Sequence, residues 1–417
     1  MRIKKQVILY AQREADNWIM GEWAGLNFGT GDPVPWLPIE GDAGFDNGTV
    51  MSDSSGSLLF YSDGSKVWNK NGEIMENGYD LLPGLDYGAW TQAVTTFPMP
   101  VDPNKYYLFT ISNWIAPTGF YYSVIDMTLD GGLGAVTNEK NIELPAAFWA
   151  HDHQFVTKST SGDSYWVITR LYNDDRYASF LVDESGVHQQ PYYSSTGVYR
   201  EFIQGDGGCI KISPDKKFLA TAHFGQGLEI SEWNLRSFEI CTFNAETGEI
   251  GYLYMINSLY LLFEYREART CEFSPDSKYI YVVFDHGGDS NLLYQFDMQY
   301  IDDSVEFLNS ALLISQNCGE SIQLSNDGRI YSSANDSENF ENYMGIINNP
   351  WEHGTDCNFA PHSIYLLGRK PRWNTPNILL DYLYRFEWEA DNYCQGTPVH
   401  FIPHFVPEPD SIEWNFD

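Results

Sequence analysis

The stretch CIKISPDKKFLATAH, residues 209–223, decides the fold. Apolar residues alternate through Ile210 and Ile212, a turn follows at Pro214, and a second β-prone run begins at Phe218. Proline presets φ at the first position of a turn, and the aspartate that follows can bond its side chain to the backbone two residues on. The segment therefore predicts a β-hairpin.

Five further segments repeat this pattern. CEFSPDSKYIYVVF starts at Cys271, and SIQLSNDGRIYSSA starts at Ser321 with Asn-Asp-Gly in place of the Pro-Asp turn. Looser copies start at Val50, Met99 and Val156. The copies recur roughly every 50 to 60 residues, which is the period of a four-stranded blade with its loops. The sequence thus predicts an all-β fold, a β-propeller.

The two ends of the chain supply the material for one more blade. NWIMGEWAGLNFGTGDPVPW, residues 17–36, contains strand-like runs but no hairpin of the repeated kind. NILLDYLY, residues 377–384, is a candidate inner strand for the same blade. Pairing these segments would leave no sheet edge or ring gap open. We therefore expect seven blades over residues 14–385, closed by strands from both termini, with six blades as the alternative.

The charge balance excludes some partners. The chain has 57 acidic and 24 basic residues and a formal net charge of -33. Such a surface repels phosphate backbones and anionic lipid headgroups, so neither nucleic acid nor a membrane surface is expected as a partner. Such a surface also attracts divalent cations, which would suit a cation-dependent role. An acidic surface that is simply solvated is the favoured interpretation. The sequence has no apolar run of the roughly 18 residues that membrane insertion requires.

Two features bear on the cellular compartment. Residues 1–13 combine basic residues with a short apolar run, as in the remnant of a secretory signal, and a cytosolic N-terminus is the alternative. The six cysteines form no CxxC pair or metal-type spacing, so we expect buried free thiols, with disulfides open in an oxidising compartment. They are Cys209, Cys241, Cys271, Cys318, Cys357 and Cys394.

Several motifs together resemble one protein family. They are NWIMGEWAGLNF (17–28), SDSSGSLLFYSDGSKVWNKNGEIM (52–75), YYSVIDMTLDGGLGAVT (121–137), QLSNDGRIY (323–331) and GIINNPWEHGTDCNF (345–359). The chain is similar in these motifs to the N-terminal propeller of large secreted Bacteroidota proteins, many of them gliding-motility-associated or PKD-domain proteins. The resemblance implies export by a type IX-like secretion system and a place outside the cell, and it supplies no catalytic residues.

The tail extends the resemblance. FEWEADNYCQGTPVHF, residues 386–401, is similar to the first strands of a PKD-type β-sandwich, and DSIEWNFD, residues 410–417, to a later strand. The resemblance therefore implies that residues 386–417 begin a truncated PKD-like sandwich. A fragment of a longer protein is the favoured interpretation, and a degenerate short member of the family is the alternative.

Two short segments are candidate metal sites. His151 and His153 flank an aspartate, and on a strand two residues at this spacing share one face. A metal bound there needs a third ligand from another blade. Asp285 and Asp289 bracket a glycine-containing loop that would suit Ca²⁺, although the spaced carboxylates of an EF-hand are missing. The alternative for both segments is an ordinary loop or channel cluster without metal.

The sequence contains no local catalytic signature. It has no GxSxG elbow and no HExxH motif, and its paired acids lie in turn contexts. The glycines at residues 204–208 precede a strand, so they predict a turn rather than a nucleotide site. Because propeller enzymes gather catalytic groups from several blades, an enzyme remains an alternative, and we assign no catalytic residue.

Aromatic residues in or beside the predicted loops are the candidate ligand-binding side chains. At the mouth of a propeller such residues could stack on sugar rings or anchor a protein. Burial between blades is the alternative. The candidates are Trp36, Trp90, Trp114, Trp149 and Trp351.

These observations favour a secreted or cell-surface recognition module. A rigid ring presents loops from many blades on one face, and the expected ligand is an extracellular glycan or a surface protein. The alternatives are an enzyme that acts on polysaccharide or peptide in the channel mouth and a structural spacer. The sequence firmly implies no cofactor and leaves Ca²⁺ open.

Overall fold

A computed structural model shows an all-β protein. It describes residues 13–38, 48–83, 92–113, 116–200, 206–225, 237–257, 267–285, 291–333, 341–372, 375–383, 385–390 and 401–406. Within these ranges, no helix combines the length and the apolar character that a membrane-spanning segment needs.

In the described part of the chain, seven antiparallel sheets follow one another before a final two-stranded sheet. Sheet 1 contains β1 (Asn17–Met20), β2 (Ala24–Asn27) and β3 (Val34–Trp36). Sheet 2 contains β4 (Thr49–Ser52), β5 (Leu58–Ser62) and β6 (Val67–Asn69). Sheet 3 contains β7 (Val94–Met99), β8 (Asp102–Asn113), β9 (Ala116–Asp126), β10 (Ala135–Val136) and β11 (Ile142–Glu143), and both short strands pair with β9.

The remaining four sheets are built in the same order. Sheet 4 contains β12 (Ala150–Lys158), β13 (Tyr165–Leu171), β14 (Asp174–Asp183), β15 (Gly186–Val187) and β16 (Tyr192–Arg200), the last two paired with β14. Sheet 5 contains β17 (Asp206–Ile212), β18 (Phe218–Gly225), β19 (Ser237–Asn244) and β20 (Glu249–Asn257). Sheet 6 contains β21 (Ala268–Phe273), β22 (Tyr279–Asp285), β23 (Asn291–Asp297) and β24 (Leu312–Cys318). Sheet 7 contains β25 (Ile322–Leu324), β26 (Ile330–Ser332), β27 (Tyr343–Ile347) and β28 (Phe359–Tyr365).

Helical structure is minor among the described residues. The α-helix α1 (Ser304–Asn309) follows sheet 6's third strand. Short 3₁₀ turns occupy Asp130–Gly132, Pro145–Ala147, Met298–Tyr300, Gly354–Cys357 and Leu380–Tyr382. The seven sheets define a seven-bladed β-propeller, as the repeat and the leftover chain at the two ends predicted.

The repeated turn explains why these segments form hairpins. In the central copy, the backbone N–H of Phe218 donates to the Ser213 hydroxyl (2.9 Å), which itself donates to Asp215 (2.6 Å). Ser274 and Asp276 form the same bonds in sheet 6. The fourth turn residue has a positive φ, which glycine adopts without steric cost. That position is filled by Gly56, Gly162, Lys216, Ser277 and Gly328.

The first sheet closes the ring against the seventh. Trp18 is buried and meets Tyr331 edge-on, with ring centroids 5.7 Å apart. Asn326, in the turn of sheet 7, donates to the Asp16 carboxylate at 2.8 Å. The first strands of neighbouring sheets contact one another from β4 through β25, so they line a central channel. The core lies between the sheets, where their apolar faces are buried.

One expected strand is corrected by the structure. Residues 377–383 do not pair with sheet 1; they run down the channel and form a 3₁₀ turn. Asn377 donates from its backbone to Gly48 (2.9 Å) and from its side chain to Gln154 (3.1 Å). Asp381 accepts from the backbone N–H of Lys158 at 2.7 Å. These polar groups form their hydrogen bonds with the walls of the channel. The segment therefore does not have to pair with a neighbouring β-strand.

The segment at residues 370–372 nevertheless contacts sheet 1. The backbone N–H of Glu22 donates to the Lys370 carbonyl (2.7 Å), and Arg372 pairs with the Glu22 carboxylate (3.2 Å). Beyond the ring, β29 (Arg385–Ala390) and β30 (Phe401–Val406) form an antiparallel hairpin. The rest of the predicted sandwich and the predicted signal remnant up to residue 12 lie outside the described residues, so both stay predictions.

Candidate functional site

The upper face of the ring is defined here as the end where the first strands of the sheets begin. The start of β12 and the end of β18 lie there, because His223 pairs with Gly208 near the start of β17. Beneath this face is a cavity of about 50 Å³. Its volume is below that of a typical small-molecule site. The cavity is lined in part by Cys209, Lys211, Arg269, Glu320, Gln323 and Asn377.

The charged groups around the cavity neutralise one another. Lys211 donates to Glu272 at 2.8 Å and to Gln323 at 2.5 Å. Arg269 bridges Glu320 and Asp285, both at 2.8 Å. The cavity therefore presents paired charges rather than a free acid or base.

The structure shows the position of one predicted calcium ligand, Asp285. Its carboxylate lies at the end of β22 and forms an ion pair with Arg269. Asp289 lies outside the described residues. A calcium site at this loop therefore stays a prediction.

Two thiols meet beside the cavity. Cys209 and Cys271 are buried, and their sulfur atoms are 3.7 Å apart. Burial raises the pKa of the Cys209 thiol, but the hydrogen bond with Cys271 and the Lys211 ammonium outweigh it and bring that pKa to about 7. The five described cysteines are all buried and free, as predicted, and Cys394 lies outside the described residues.

A cluster of three histidines lies next to this channel wall. Ala150 pairs with Leu171 and Gln154 with Thr169, so residues 151–153 of β12 face the single residue 170 of β13. This bulge brings the rings of His151 and His153 together, with centroids 4.0 Å apart.

The third histidine comes from the neighbouring sheet. One ring nitrogen from each of His151, His153 and His223 lies within 4.8 Å of the others, and all three side chains are fully buried. The sequence predicted the first two residues and the need for a ligand from another blade. It did not identify His223, which is the last residue of the stretch that decides the fold.

Two carboxylates flank the histidines. Asp152 Oδ1 is 2.9 Å from His151 Nδ1 and 3.3 Å from His153 Nδ1. Glu239 Oε2 is 3.3 Å from His223 Nε2 and accepts from the Tyr177 hydroxyl at 3.0 Å. Each imidazole thus has a carboxylate that can orient its ring and select its tautomer.

Burial sets the ionisation of these groups. Burial raises the pKa of Asp152, but the hydrogen bonds from the two imidazoles hold that pKa below its usual value. Burial and the neighbouring Arg200 lower the pKa of His223 well below its ordinary value. An ionised aspartate and a neutral imidazole follow, and neutral imidazole is the form that binds metal ions.

Exposed aromatic side chains lie on the upper face beside this cluster. Trp149 is 48% exposed, and Phe148 is 41% exposed with its ring centroid 6.0 Å from that of Trp149. Trp149 accepts a backbone hydrogen bond from Tyr172, and Asn173 donates to Arg200. These bonds bring the end of β16 to the same end of sheet 4 as Trp149. Tyr199, near the end of β16, is 56% exposed.

The other predicted tryptophans do not join this group. Trp36 is half-buried and packs over Gly25 at the end of the outer strand β3. Trp351 lies between β27 and β28. Because strands alternate in direction, that turn is at the end of the ring opposite the upper face. Trp90 and Trp114 lie outside the described residues.

Comparisons with known proteins find only distant structural similarity. No protein-family model matches the sequence, and no curated protein matches it. Kuenenia stuttgartiensis hydrazine synthase is similar at 11% identity and TM-score 0.41, over 97% of this chain and 98% of that one. The Cps50 (Swd1) β-propeller domain of Myceliophteria thermophila is similar at 10% identity and TM-score 0.43, over 80% and 94%. Sqt1 from Chaetomium thermophilum is similar at 14% identity and TM-score 0.40, over 78% and 74%.

These solved structures belong to proteins of different functions, and their low identities and TM-scores carry no argument about activity. The class of this protein, a seven-bladed β-propeller, is defined by its own sheet order. The resemblance to secreted Bacteroidota propellers is not tested by these matches and stays a prediction.

Proposed function

We propose that the chain is a recognition module that binds its ligand on the upper face, at Phe148, Trp149 and Tyr199. The observation that carries this proposal is the exposure of three large aromatic side chains at one end of sheet 4. Soluble proteins bury most such surface, and exposed aromatic groups commonly mark binding sites.

The chemistry of this surface fits a glycan. Aromatic rings stack on the apolar faces of sugar rings while the sugar hydroxyls remain hydrated. The formal net charge of -33 repels acidic polymers. The favoured ligand is therefore a neutral oligosaccharide, and a surface protein is the alternative partner.

The proposed setting is outside the cell, with the ring as the head of a larger exported protein. Its support is the resemblance of the motifs between residues 17 and 359 to propellers exported by a type IX-like system. Fractionation of cells that express the full-length natural protein tests this setting. Retention of the protein in the cytosol would contradict it.

A glycan array probed with the folded chain tests the binding function. We expect neutral oligosaccharides to bind, and we expect Trp149→Ala to weaken that binding about tenfold or more, as loss of one stacking aromatic commonly does. Trp351→Ala is the matched control, because it removes a partly exposed tryptophan from the opposite face. Absence of any glycan signal, or equal losses in the two variants, would refute the glycan-binding site.

An enzyme remains the second candidate because histidines and carboxylates converge in one buried cluster. His151, His153 and His223 have no exposed side-chain surface, so a substrate does not reach them in this conformation. Measurable hydrolysis of an array-selected oligosaccharide, lost on mutation of His223, would favour the enzyme.

A further inference from the structure

We propose that His151, His153 and His223 bind one divalent transition-metal ion, with Zn²⁺ as the preferred ion. This site is separate from the aromatic surface, and the proposal does not depend on glycan binding.

The geometry of the three nitrogens is close to that of a metal site. They lie within 4.8 Å of one another. Two nitrogens bound to one tetrahedral zinc are about 3.3 Å apart, since each Zn–N bond is about 2.0–2.1 Å. Small movements of the rings are therefore enough to bring all three onto one ion. His151 and His153 are on the bulge of β12, and His223 is on β18, so the ion would join sheets 4 and 5.

Carboxylates lie beside one nitrogen of each ring. Asp152 Oδ1 is 2.9 Å from His151 Nδ1 and 3.3 Å from His153 Nδ1, and the Asp152 backbone N–H donates to His151 Nδ1 at 3.1 Å. His223 is oriented the other way, because its Nε2 faces Glu239. Carboxylates bonded to the second nitrogen of each ligand are the usual supporting groups of histidine metal sites.

One buried nitrogen points independently to a ligand. His223 Nδ1 is buried, and no hydrogen-bond partner is found for it within the described part of the chain. Buried polar atoms are nearly always paired, so such an atom calls for an explanation. A metal ion bound at Nδ1 supplies the missing partner.

The donor set and the surrounding charge select the class of ion. Three imidazole nitrogens suit Zn²⁺, Co²⁺, Ni²⁺ and Cu²⁺, whereas Ca²⁺ and Mg²⁺ prefer oxygen ligands. The carboxyl groups of Asp152 and Glu239 lie next to the site. Two arginines also lie near the site: Arg170 is 3.8 Å from Glu239 and donates to the carbonyls of Arg176 and Val198, and Arg200 neighbours His223.

A cobalt titration of the metal-free chain, made without a histidine tag, tests the proposal. We expect about one Co²⁺ per chain, with the visible absorption bands of a four- or five-coordinate nitrogen site, displaced by Zn²⁺ and not by Ca²⁺. His223→Asn should weaken Co²⁺ binding at least tenfold. His188→Asn is the matched control, because that exposed histidine pairs with Asp183 far from the cluster in sequence. Absence of the bands in the wild type, or equal affinity in both variants, would overturn the site.

A second measurement covers the case in which His223→Asn does not fold. Wild-type chain is exposed to Cu²⁺ and ascorbate, which oxidise the histidines that hold copper, and the peptides are mapped by mass spectrometry. Oxidation at His151, His153 or His223 supports the site. Oxidation confined to His188 and other exposed histidines would overturn it.

Discussion

Replacing Asp381 by alanine tests whether the channel segment, residues 375–383, holds the ring together. The side chain is nearly buried and accepts from three groups: the Lys158 backbone N–H (2.7 Å), the Thr157 hydroxyl (3.1 Å) and the Lys216 ammonium (2.5 Å). A hydrogen bond to a charged group contributes about 1.5–3 kcal/mol, and such bonds in one network do not add fully. Since Lys216 can turn to solvent, we expect Asp381→Ala to cost about 3 kcal/mol of unfolding free energy.

The assay is thermal unfolding followed by circular dichroism. Unfolding entropy of about 2.1 cal/mol/K per residue amounts to roughly 0.9 kcal/mol/K for this chain, so a loss of about 3 kcal/mol lowers Tm by about 3–4 °C. Asp163→Ala, in an exposed turn between β12 and β13, is the matched control and should change Tm by less than about 1 °C. Equal Tm values for the two variants would refute the role of the channel segment.

Two further predictions concern the wall of the channel. Gly208 has φ +153°, and a Cβ there would lie 1.9 Å from the Ala222 carbonyl oxygen, so Gly208→Ala should greatly reduce the yield of folded protein. Gly162→Ala (φ +80°, open space) should cost only about 1 kcal/mol, and equal yields of both variants would contradict the close approach. The Cys209 thiolate, measured by absorbance at 240 nm, should form as pH rises through about 7 and disappear below it, because its pKa is lowered to about that value. Cys209→Ser should abolish this step, and a wild-type midpoint near the ordinary thiol value of about 8.5 would contradict it.

The repeat predicted the ring because the turn chemistry is local. The Ser-Pro-Asp turns at Ser213 and Ser274 bond within six residues, so their hairpins follow from sequence alone. Residues 377–384 were expected to supply the inner strand of a blade formed by both chain ends. What places residues 377–383 in the channel is long-range: Asn377 and Asp381 bond to groups more than 150 residues away. A local pattern carries no information about such partners.

The candidate site was predicted in part for the same reason. The spacing of His151 and His153 suggested a shared face, but the bulge that joins them depends on how β12 pairs with β13. His223 belongs to the next sheet, and only the packing of sheet 5 on sheet 4 brings it within 4.8 Å. Among the predicted tryptophans, Trp149 is exposed. Trp36 is half-buried, because Gly25 leaves room for its ring.

Hydrogen–deuterium exchange tests most directly whether the upper face is the binding surface. The probe is the neutral oligosaccharide with the strongest array signal, added at saturation to the full chain. We expect exchange to slow in residues 145–149 and 192–200, around the exposed aromatic side chains, and to stay unchanged in residues 348–358 on the opposite face. Protection confined to residues 348–358 would contradict the proposed site.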